Sequence, residues 1–310
     1  MSGEAILVIR LGALGDLVLS SGPFRAIREH HPDARIVLLT TEPYEDLARA
    51  GGWFDEIWCD ERPAWWQFGA MRRLAGRLRE GGFSRVYDLQ TSDRSSGYFR
   101  LFGRPRPEWS GIARGCSHPH GNPGRNRMHT VERQAEQLAM AGIAQVPPPD
   151  LSGIEADLSA FALPAGYALL VPGSAPHRPE KRWPAGRYGE LAGRLRARGL
   201  TPVLIGGPAE QAALAAVAAG QRGVIDLCGR TSFAQIAALG RGARLSVGND
   251  TGPMHLIATA GCPSVVLFSG ASDPALTAPR GPRVQVVRRH ELADLAVDEV
   301  AHAAKRMLER

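Results

Sequence analysis

The sequence predicts an α/β protein of two similar halves, each a parallel sheet with helices packed against it. Short runs of aliphatic and β-branched residues alternate with longer helical patterns, which is typical of β-α units around a parallel sheet. This alternation occurs twice along the chain. The two series are separated by the proline-rich stretch 145–166, which we interpret as a linker because proline disfavours both helices and central strands.

The first half contains four predicted strands and four predicted helices. The strands are the runs AILVIR, RIVLLT, EIW and RVYDLQ, and the helical patterns cover 21–30, 43–50, 65–79 and 130–141. Between the last strand and the last helix, the stretch 91–128 is rich in arginine, glycine and proline. It is predicted to form long loops, which are uncommon in compact domains unless they bind something.

The second half repeats the pattern with five predicted strands. These are YALLV, TPVLIG, GVIDL, ARLSV and PSVVLF, with helical patterns over 184–198, 209–219, 232–239 and 253–260. A length of 310 residues fits two domains. We therefore predict an N-terminal α/β domain over 1–150 and a C-terminal one over 151–310, the last helix being a candidate to pack back on the N-terminal domain. Such halves would face a central cleft, with ligands at the carboxyl ends of the strands.

Composition favours a globular protein of the cytoplasm. Apolar residues make up 44% and charged residues 22% of the chain, and no apolar run approaches the roughly 18 to 20 residues that span a bilayer. The start, MSGEAILVIR, lacks the features of a signal peptide. The cysteines are scattered without metal-ligand spacing, so we expect reduced thiols and no metal site.

The net charge of +6 and the pI of about 9.5 favour an anionic partner. The basic residues are almost all arginine, with Lys181 and Lys305 as the two lysines. An arginine excess of this kind also arises from genome composition, so the charge alone does not identify the partner.

A glycine-rich loop, IRLGALGD, follows the first strand and opens a helix. Gly12 and Gly15 permit a tight turn and a close approach to a ligand, and Asp16 falls in the first helical turn. Asp16 either caps the helix or, as a carboxylate ionised near neutral pH, accepts a proton from a bound hydroxyl. A dinucleotide fingerprint fits poorly because its third glycine is missing.

Two loops of the second half carry residues suited to a nucleotide. In VPGSAPHRPEKRWP, Gly173 and Ser174 offer amides and a hydroxyl, and Lys181 offers a positive charge to phosphate; a solvated basic loop is the alternative. In IGGPAEQ, Glu210 lies in the first turn of a helix. Its carboxylate could accept the two hydroxyls of a ribose, or it could do no more than favour the helix dipole.

The stretch SVGNDTGPMH, 246–255, places a crowded polar turn between an apolar strand and a helix. A helix that begins near Gly252 presents unpaired amides and the positive end of its dipole, which predicts a pyrophosphate site. We expect Asp250 to hold the turn by bonding loop amides. His255 either donates to the ligand or is a buried core residue. No D-x-D motif is present, so lysine and the helix dipole would neutralise a leaving diphosphate without a metal.

Together, the motifs LGALGDLVLSSGP, PGS…KRWP, GGPAEQ and NDTGPMHLIATAGCPSVVLFSGASDP resemble those of glycosyltransferase family 9, the ADP-heptose:lipopolysaccharide heptosyltransferases. The second half is most similar to the heptosyltransferase II branch. The resemblance implies a GT-B fold, two Rossmann-like domains with the donor held mainly by the second, and an inverting transfer without a metal or other cofactor.

The resemblance also implies roles for individual residues. Asp16 would be the catalytic base, Lys181 would meet the phosphates of the ADP-heptose donor, and Glu210 would bind the adenosine ribose. The other positions expected at the donor are Ser174, Thr231, Asp250, Thr251, Gly252 and His255.

The acceptor that the resemblance implies is a lipid-linked oligosaccharide, the anionic lipopolysaccharide core at the inner membrane. On charge and position, Arg10, Arg94 and Arg100 are candidates to contact it. The segment PAWWQFGAMRRLAGRLRE places apolar residues at helical spacing beside arginines. It predicts either a core-facing helix or one that lies on an anionic membrane surface.

Other functions remain open on the sequence alone. A transferase or epimerase that uses another nucleotide-sugar would need the same donor loops, and so would a non-catalytic nucleotide-sugar binding protein, which Asp16 disfavours. Nucleic-acid binding would explain the pI but not the glycine-rich turns, so we predict no nucleic-acid partner.

Overall fold

The computed structural model describes residues 3–309, which divide into two compact units, the first ending at Pro149 and the second beginning at Asp150. Each unit contains one six-stranded sheet in which every neighbouring pair of strands is parallel. The predicted α/β class with two parallel-sheet halves is therefore confirmed. Among residues 3–309, no helix has the length and apolar character that a membrane span requires.

The first unit has the strand order β3-β2-β1-β4-β5-β6. Its strands are β1 Ala5–Ile9, β2 Arg35–Thr40, β3 Glu56–Cys59, β4 Arg85–Asp88, β5 Glu108–Gly111 and β6 His118–Pro119. Its helices are α1 Leu14–Leu19, α2 Ser21–His30, α3 Glu45–Gly51, α4 Phe68–Glu80, α5 Asp93–Tyr98 and α6 Thr130–Met140. The chain order reverses between β1 and β4, so the switch point of this sheet lies at their carboxyl ends.

The second unit has the equivalent order, β12-β11-β10-β7-β8-β9. Its strands are β7 Tyr167–Val171, β8 Thr201–Leu204, β9 Ile225–Asp226, β10 Leu245–Asn249, β11 Ser264–Phe268 and β12 Val284–Arg288. Its helices are α7 Ala185–Arg196, α8 Gln211–Ala218, α9 Phe233–Gly242, α10 Gly252–Thr259, α11 Pro274–Thr277 and α12 Val297–Glu309. The switch point of this sheet lies between β7 and β10.

The hydrophobic core of each unit is built around strands that are buried on both faces of the sheet. The runs AILVI of β1, YALLV of β7 and SVVLF of β11 are buried along their whole length, as expected when helices cover both sides of a parallel sheet. The last helix, α12, places Val300, Ala303 and Ala304 in the core of the second unit, and it packs on α7 and the sheet of that unit.

The interpretation of 91–128 as loops is wrong in part. The stretch contains α5, β5 and β6, and the side chain of Trp109 in β5 is fully buried against Phe99 and Phe102. These strands are short and the second has only two residues, so they leave no periodic pattern among the glycines and prolines. The strand β12 was also missed.

The helix predicted over 65–79 begins later, at Phe68, because Ala64 and Gln67 close a turn before it. Met71, Ala75 and Leu78 of α4 are buried. The core-facing interpretation of this helix is therefore confirmed.

Candidate functional site

In both units, the residues predicted to carry the chemistry lie at the switch point of the sheet. Asp16 lies in the first turn of α1, the helix that follows β1, and the loops after β7 and β10 carry Lys181 and Asp250. In open parallel sheets this is where ligands bind, because the loops diverge there and leave a crevice. We describe the two sites separately.

In the first unit, Asp16 stands in the first turn of α1 without capping it. The helix has Ala13 at its N-cap and no side-chain cap, so the interpretation of Asp16 as a mere cap does not hold. Its carboxylate, 36% exposed, instead forms an ion pair with Arg10, whose Nη2 lies 3.1 Å from Asp16 Oδ1. A glycine is required at position 12 because the φ angle there is +127°. The Cβ of any other residue at this position would also lie 2.8 Å from the ring of Tyr44.

Arg10, which we predicted as a candidate to contact the acceptor, is buried. Its side chain is 2% exposed, and its Nη1 donates to the Leu89 carbonyl after β4. Burial lowers the pKa of Arg10, and the nearby Asp16 carboxylate opposes this shift. The structure thus gives Arg10 the task of holding one carboxylate oxygen of Asp16, which leaves Oδ2 for another partner.

Asp88 ends β4 on the other side of the same switch point. It is fully buried, and its Oδ1 accepts the amide of Thr91 while its Oδ2 has no hydrogen-bond partner among residues 3–309. Desolvation raises the pKa of Asp88 to about 6. Sequence analysis did not identify Asp88, because in the sequence it is simply the last residue of a buried strand.

Two further arginines of the first unit lie close to this point. Arg125 donates from Nη2 to Thr91 Oγ1 at 2.9 Å. Burial lowers the pKa of Arg125, and the positive charge of Arg133 adds to the shift; Arg133 likewise acts on Arg10. Neither Arg125 nor Arg133 has a carboxylate within 4.0 Å among the residues that the structure describes. They form a cationic cluster, and Arg133 was missed because it sits in an unremarkable amphipathic helix.

The other predicted acceptor arginines lie elsewhere in the first unit. Arg94 donates to the Pro63 carbonyl and to the Tyr98 hydroxyl, and it stacks on Trp65. Arg100 is exposed and lines a cavity of about 530 Å³ with Arg114. Their contact with an acceptor stays a prediction.

In the second unit, α10 begins at Gly252, as predicted, with Thr251 at the N-cap and no side chain bonded to the cap. The Thr251 hydroxyl is buried and has no hydrogen-bond partner among residues 3–309. His255, one turn further, is buried within the helix. The helix start is therefore a polar, uncapped end that suits an anion.

Asp250 does not bond the loop amides as we expected. Its Oδ2 accepts Lys181 Nζ at 2.6 Å and Ser272 Oγ at 2.7 Å. Both charged groups are largely shielded, with Lys181 17% and Asp250 7% exposed. The carboxylate thus fixes the ammonium beside the start of α10, across a separation of 69 residues that sequence spacing could not indicate.

Asn249, the last residue of β10, joins the two loops of this switch point. Its Nδ2 donates to the carbonyls of Pro172 and Gly173, and its Oδ1 accepts the Trp183 amide and the Tyr188 hydroxyl. All four hydrogen bonds are buried, so Asn249 sets the position of the Lys181 loop relative to α10. Sequence analysis named its neighbours and missed this residue.

Ser174 and Glu210 complete the walls of the second site. The Ser174 hydroxyl donates to the Arg178 carbonyl and accepts Arg182 Nε, so it stabilises its own loop and leaves only the backbone amide for a donor contact. Glu210 accepts the Gly207 amide and lies over Gly173, where a Cβ would come within 1.8 Å of Glu210 Oε1. Desolvation raises the pKa of Glu210.

Thr231 lies in the neighbouring loop after β9, partly exposed. This loop is bonded to the glycine loop after β8, since the Gly229 amide donates to Gly206 and the Cys228 thiol to Gly207. Thr231, Glu210 and Lys181 therefore belong to loops that leave the same edge of one sheet. Among residues 3–309 there is no group of three or more His, Cys, Asp or Glu side chains arranged to hold a metal ion.

Comparison with solved structures defines the fold class of the protein. The structure matches that of Escherichia coli ADP-heptose lps heptosyltransferase II, with a TM-score of 0.82, 24% identity and coverage of 98% of both chains. It also matches E. coli heptosyltransferase WaaC with ADP-2-deoxy-2-fluoro heptose, with a TM-score of 0.75, 23% identity and coverage of 98% of this chain and 99% of the other. The protein has the GT-B fold of these structures.

The sequence identifies the family within that class. The model of glycosyltransferase family 9 (heptosyltransferase) matches residues 71–303. The sequence is 29% identical over 313 residues to lipopolysaccharide heptosyltransferase 2 of E. coli strain K12, covering 91% of this chain and 87% of the relative. The chain belongs to glycosyltransferase family 9, and the protein is a glycosyltransferase.

Proposed function

We propose that the protein transfers a heptose from ADP-heptose to a hydroxyl of the lipopolysaccharide inner core, with inversion at the anomeric carbon and without a metal. The observation that carries the proposal is the position of two sets of groups. The carboxylate of Asp16 lies at the switch point of the first unit, and the Lys181 ammonium and the start of α10 lie at that of the second. The sequence similarity to lipopolysaccharide heptosyltransferase 2 and the ADP-sugar named for the WaaC structure support the choice of donor and acceptor.

The second unit holds the leaving group in this proposal. The diphosphate of the donor lies at the start of α10, where the Thr251 and Gly252 amides and the Lys181 ammonium neutralise it. Glu210 accepts the ribose hydroxyls, and Thr231 lies beside the adenine. With Lys181 and a helix dipole in place, and with no D-x-D motif in the chain, no divalent ion is required to stabilise the departing ADP.

The first unit activates the acceptor. Asp16 Oδ2 takes the proton of the acceptor hydroxyl while the oxygen of that hydroxyl forms a bond to the anomeric carbon. The bond from that carbon to the diphosphate breaks at the same time, and ADP leaves with the electron pair. Attack from the face opposite ADP gives inversion. Arg10 keeps the carboxylate oriented, and the cationic cluster of Arg125 and Arg133 attracts the acid groups of the acceptor.

A donor and acceptor assay tests the proposal. Purified protein is mixed with ADP-heptose and a lipopolysaccharide core that lacks the heptose, with a chelator present, and both ADP release and the anomeric configuration of the product are measured. We expect transfer with inversion and no loss of rate with the chelator. Transfer only with added metal, or retention of configuration, would overturn the mechanism.

A panel of other nucleotide-sugars in the same assay separates heptosyl transfer from the alternatives. Faster release of nucleotide from another sugar would reassign the donor. Interconversion of the sugar without transfer would indicate an epimerase. Binding of the donor without turnover under any condition would indicate a non-catalytic binding protein.

Because the proposed acceptor is anchored in a membrane, we also propose a peripheral contact of the protein with the inner face of the cytoplasmic membrane.

A further inference from the structure

An exposed aromatic pair, here called the aromatic tip, lies at the start of α4 in the first unit. It consists of Trp66 and Phe68, whose side chains are each 76% exposed. Large apolar side chains are seldom so exposed as neighbours, and exposed apolar patches mark interaction surfaces. Neither residue contributes to the two switch points.

The aromatic tip is presented by an ordered turn. The backbone amide of Gln67 donates to the Ala64 carbonyl, and the backbone amide of Ala64 donates to the side-chain oxygen of Gln67. Two hydrogen bonds between the same two residues therefore close the turn. The preceding ring, Trp65, packs beside Tyr98 with ring centroids 6.1 Å apart. It also covers Gly97 so closely that a Cβ there would lie 2.7 Å from the ring. Trp65 thus anchors the turn, and the side chain of Trp66 is exposed to solvent.

Positive charge surrounds the aromatic tip. Arg62 precedes the turn, and Arg72 and Arg73 follow one helical turn after Phe68; all three are exposed. Arg72 stands at i+4 from Phe68, on the same face of α4. None of these guanidinium groups has a carboxylate within 4.0 Å in the part of the chain that the structure describes. The nearby acids Glu61 and Asp93 are also exposed.

A cavity beside the turn adds to this charge. It has a volume of about 530 Å³ and is lined by Trp65 with Arg100 and Arg114, as well as by Asp93. The turn is therefore bordered by arginines on both sides. Arginine pairs with phosphate through two parallel hydrogen bonds, and unpaired guanidinium groups around exposed rings complement an anionic, partly apolar surface.

We propose that the aromatic tip docks on the surface of an anionic phospholipid bilayer. Trp66 and Phe68 enter the region between headgroups and acyl chains, and Arg62, Arg72 and Arg73 pair with lipid phosphates. The apolar face of α4 stays in the protein core, so the docking element is the end of the helix and not its length. This inference gives a location to the membrane contact proposed above, but it requires neither donor nor acceptor.

Sedimentation with vesicles tests the inference. The probes are vesicles of phosphatidylcholine alone and of phosphatidylcholine mixed with phosphatidylglycerol, both free of lipopolysaccharide. We expect binding to the mixed vesicles that weakens as salt rises, and at least about tenfold weaker binding of the W66S/F68S variant. R72Q/R73Q is expected to bind more weakly and with a smaller dependence on salt.

Matched controls separate the aromatic tip from general effects. Met140→Ser removes another exposed apolar side chain of the same unit and is expected to bind like the unaltered protein. Equal binding of W66S/F68S and the unaltered protein, or binding that does not require phosphatidylglycerol, would overturn the inference. So would absence of vesicle binding, even if heptosyl transfer to a soluble core is intact.

A second measurement does not depend on how the double variant folds. Lipids brominated near the headgroup quench tryptophan that enters the bilayer, and the conservative variant W66F removes that tryptophan while it keeps the aromatic side chain. We expect quenching of the unaltered protein and its loss in W66F, with vesicle binding retained. Equal quenching of both proteins would place another tryptophan, and not Trp66, at the lipid.

Discussion

The pair formed by Lys181 and Asp250 makes donor binding testable by a double-mutant cycle. In Lys181→Met, the diphosphate loses one charge-assisted hydrogen bond, worth about 1.5–3 kcal/mol. The variant also leaves Asp250, 7% exposed, with Ser272 as its remaining side-chain partner. A carboxylate about 6 Å from a phosphate would repel it by at most about 3 kcal/mol at an effective dielectric constant of about 20.

Asp250 repels the phosphate in the unaltered protein as well, so the lost hydrogen bond sets the change in affinity, and we expect Lys181→Met to raise the Kd for ADP by about 10- to 100-fold. In Lys181→Met/Asp250→Asn the repulsion is absent, and about tenfold of that affinity should return. Asp250→Asn alone keeps the ammonium and should remain within about tenfold of the unaltered protein. The free energy of unfolding should follow a different order: each single variant should be less stable than the double variant, because removal of one partner leaves the other charge buried.

Isothermal titration calorimetry with ADP in the presence of a chelator measures the four affinities. An unchanged Kd in Lys181→Met would refute the role of the ammonium. A double variant that binds no more tightly than Lys181→Met would refute the argument from the buried Asp250 charge.

The remaining predictions concern Asp16, Glu210 and Asp88. Asp16→Asn should lower transfer by about 10³-fold with an unchanged Kd for ADP, since the base acts on the acceptor; steady-state rates and calorimetry check this, and retained turnover would reject the role. Because the pKa of Glu210 is raised by desolvation, ADP affinity should fall as the pH decreases through that pKa, and titrations at several pH values should show a flatter profile for Glu210→Gln. Asp88 has a folded pKa of about 6, above its ordinary value of 3.8. Its contribution to the free energy of unfolding is therefore fully present below pH 3.8 and is lost as the pH rises through 6. The roughly two-unit shift corresponds to about 3 kcal/mol, and denaturant unfolding at acidic and neutral pH should show Asp88→Asn gaining stability over the unaltered protein only at neutral pH.

The sequence was sufficient for the class of fold and for the position of the glycine-rich turns to which we assign the donor. Strands buried on both faces read as continuous apolar runs, and glycine clusters that end such strands mark the turns that carry Asp16 and Gly252. Those features are local, so they are visible without a structure. The short strands β5 and β6 were missed because two to four residues among prolines and glycines carry no period.

The parts of the site that sequence analysis could not provide are contacts between distant segments. Arg10 looks like one of many arginines until Asp16 is found 3.1 Å from its guanidinium. Asp250 looks like a turn residue until Lys181 is found beside it. Asn249 was overlooked because its four hydrogen bonds reach Pro172, Gly173, Trp183 and Tyr188, which lie more than sixty residues earlier in the chain.

The equivalent strand orders of the two units have a consequence for how such a protein can change over time. Each sheet has its own switch point, and no residue of the loops that we propose for the nucleotide comes from the unit that carries Asp16. Under the proposed function, substitutions that adapt the first unit to a new alcohol can accumulate while the proposed ADP contacts stay intact, and the reverse also holds. A protein assembled in this way can acquire new sugar linkages by altering one unit at a time.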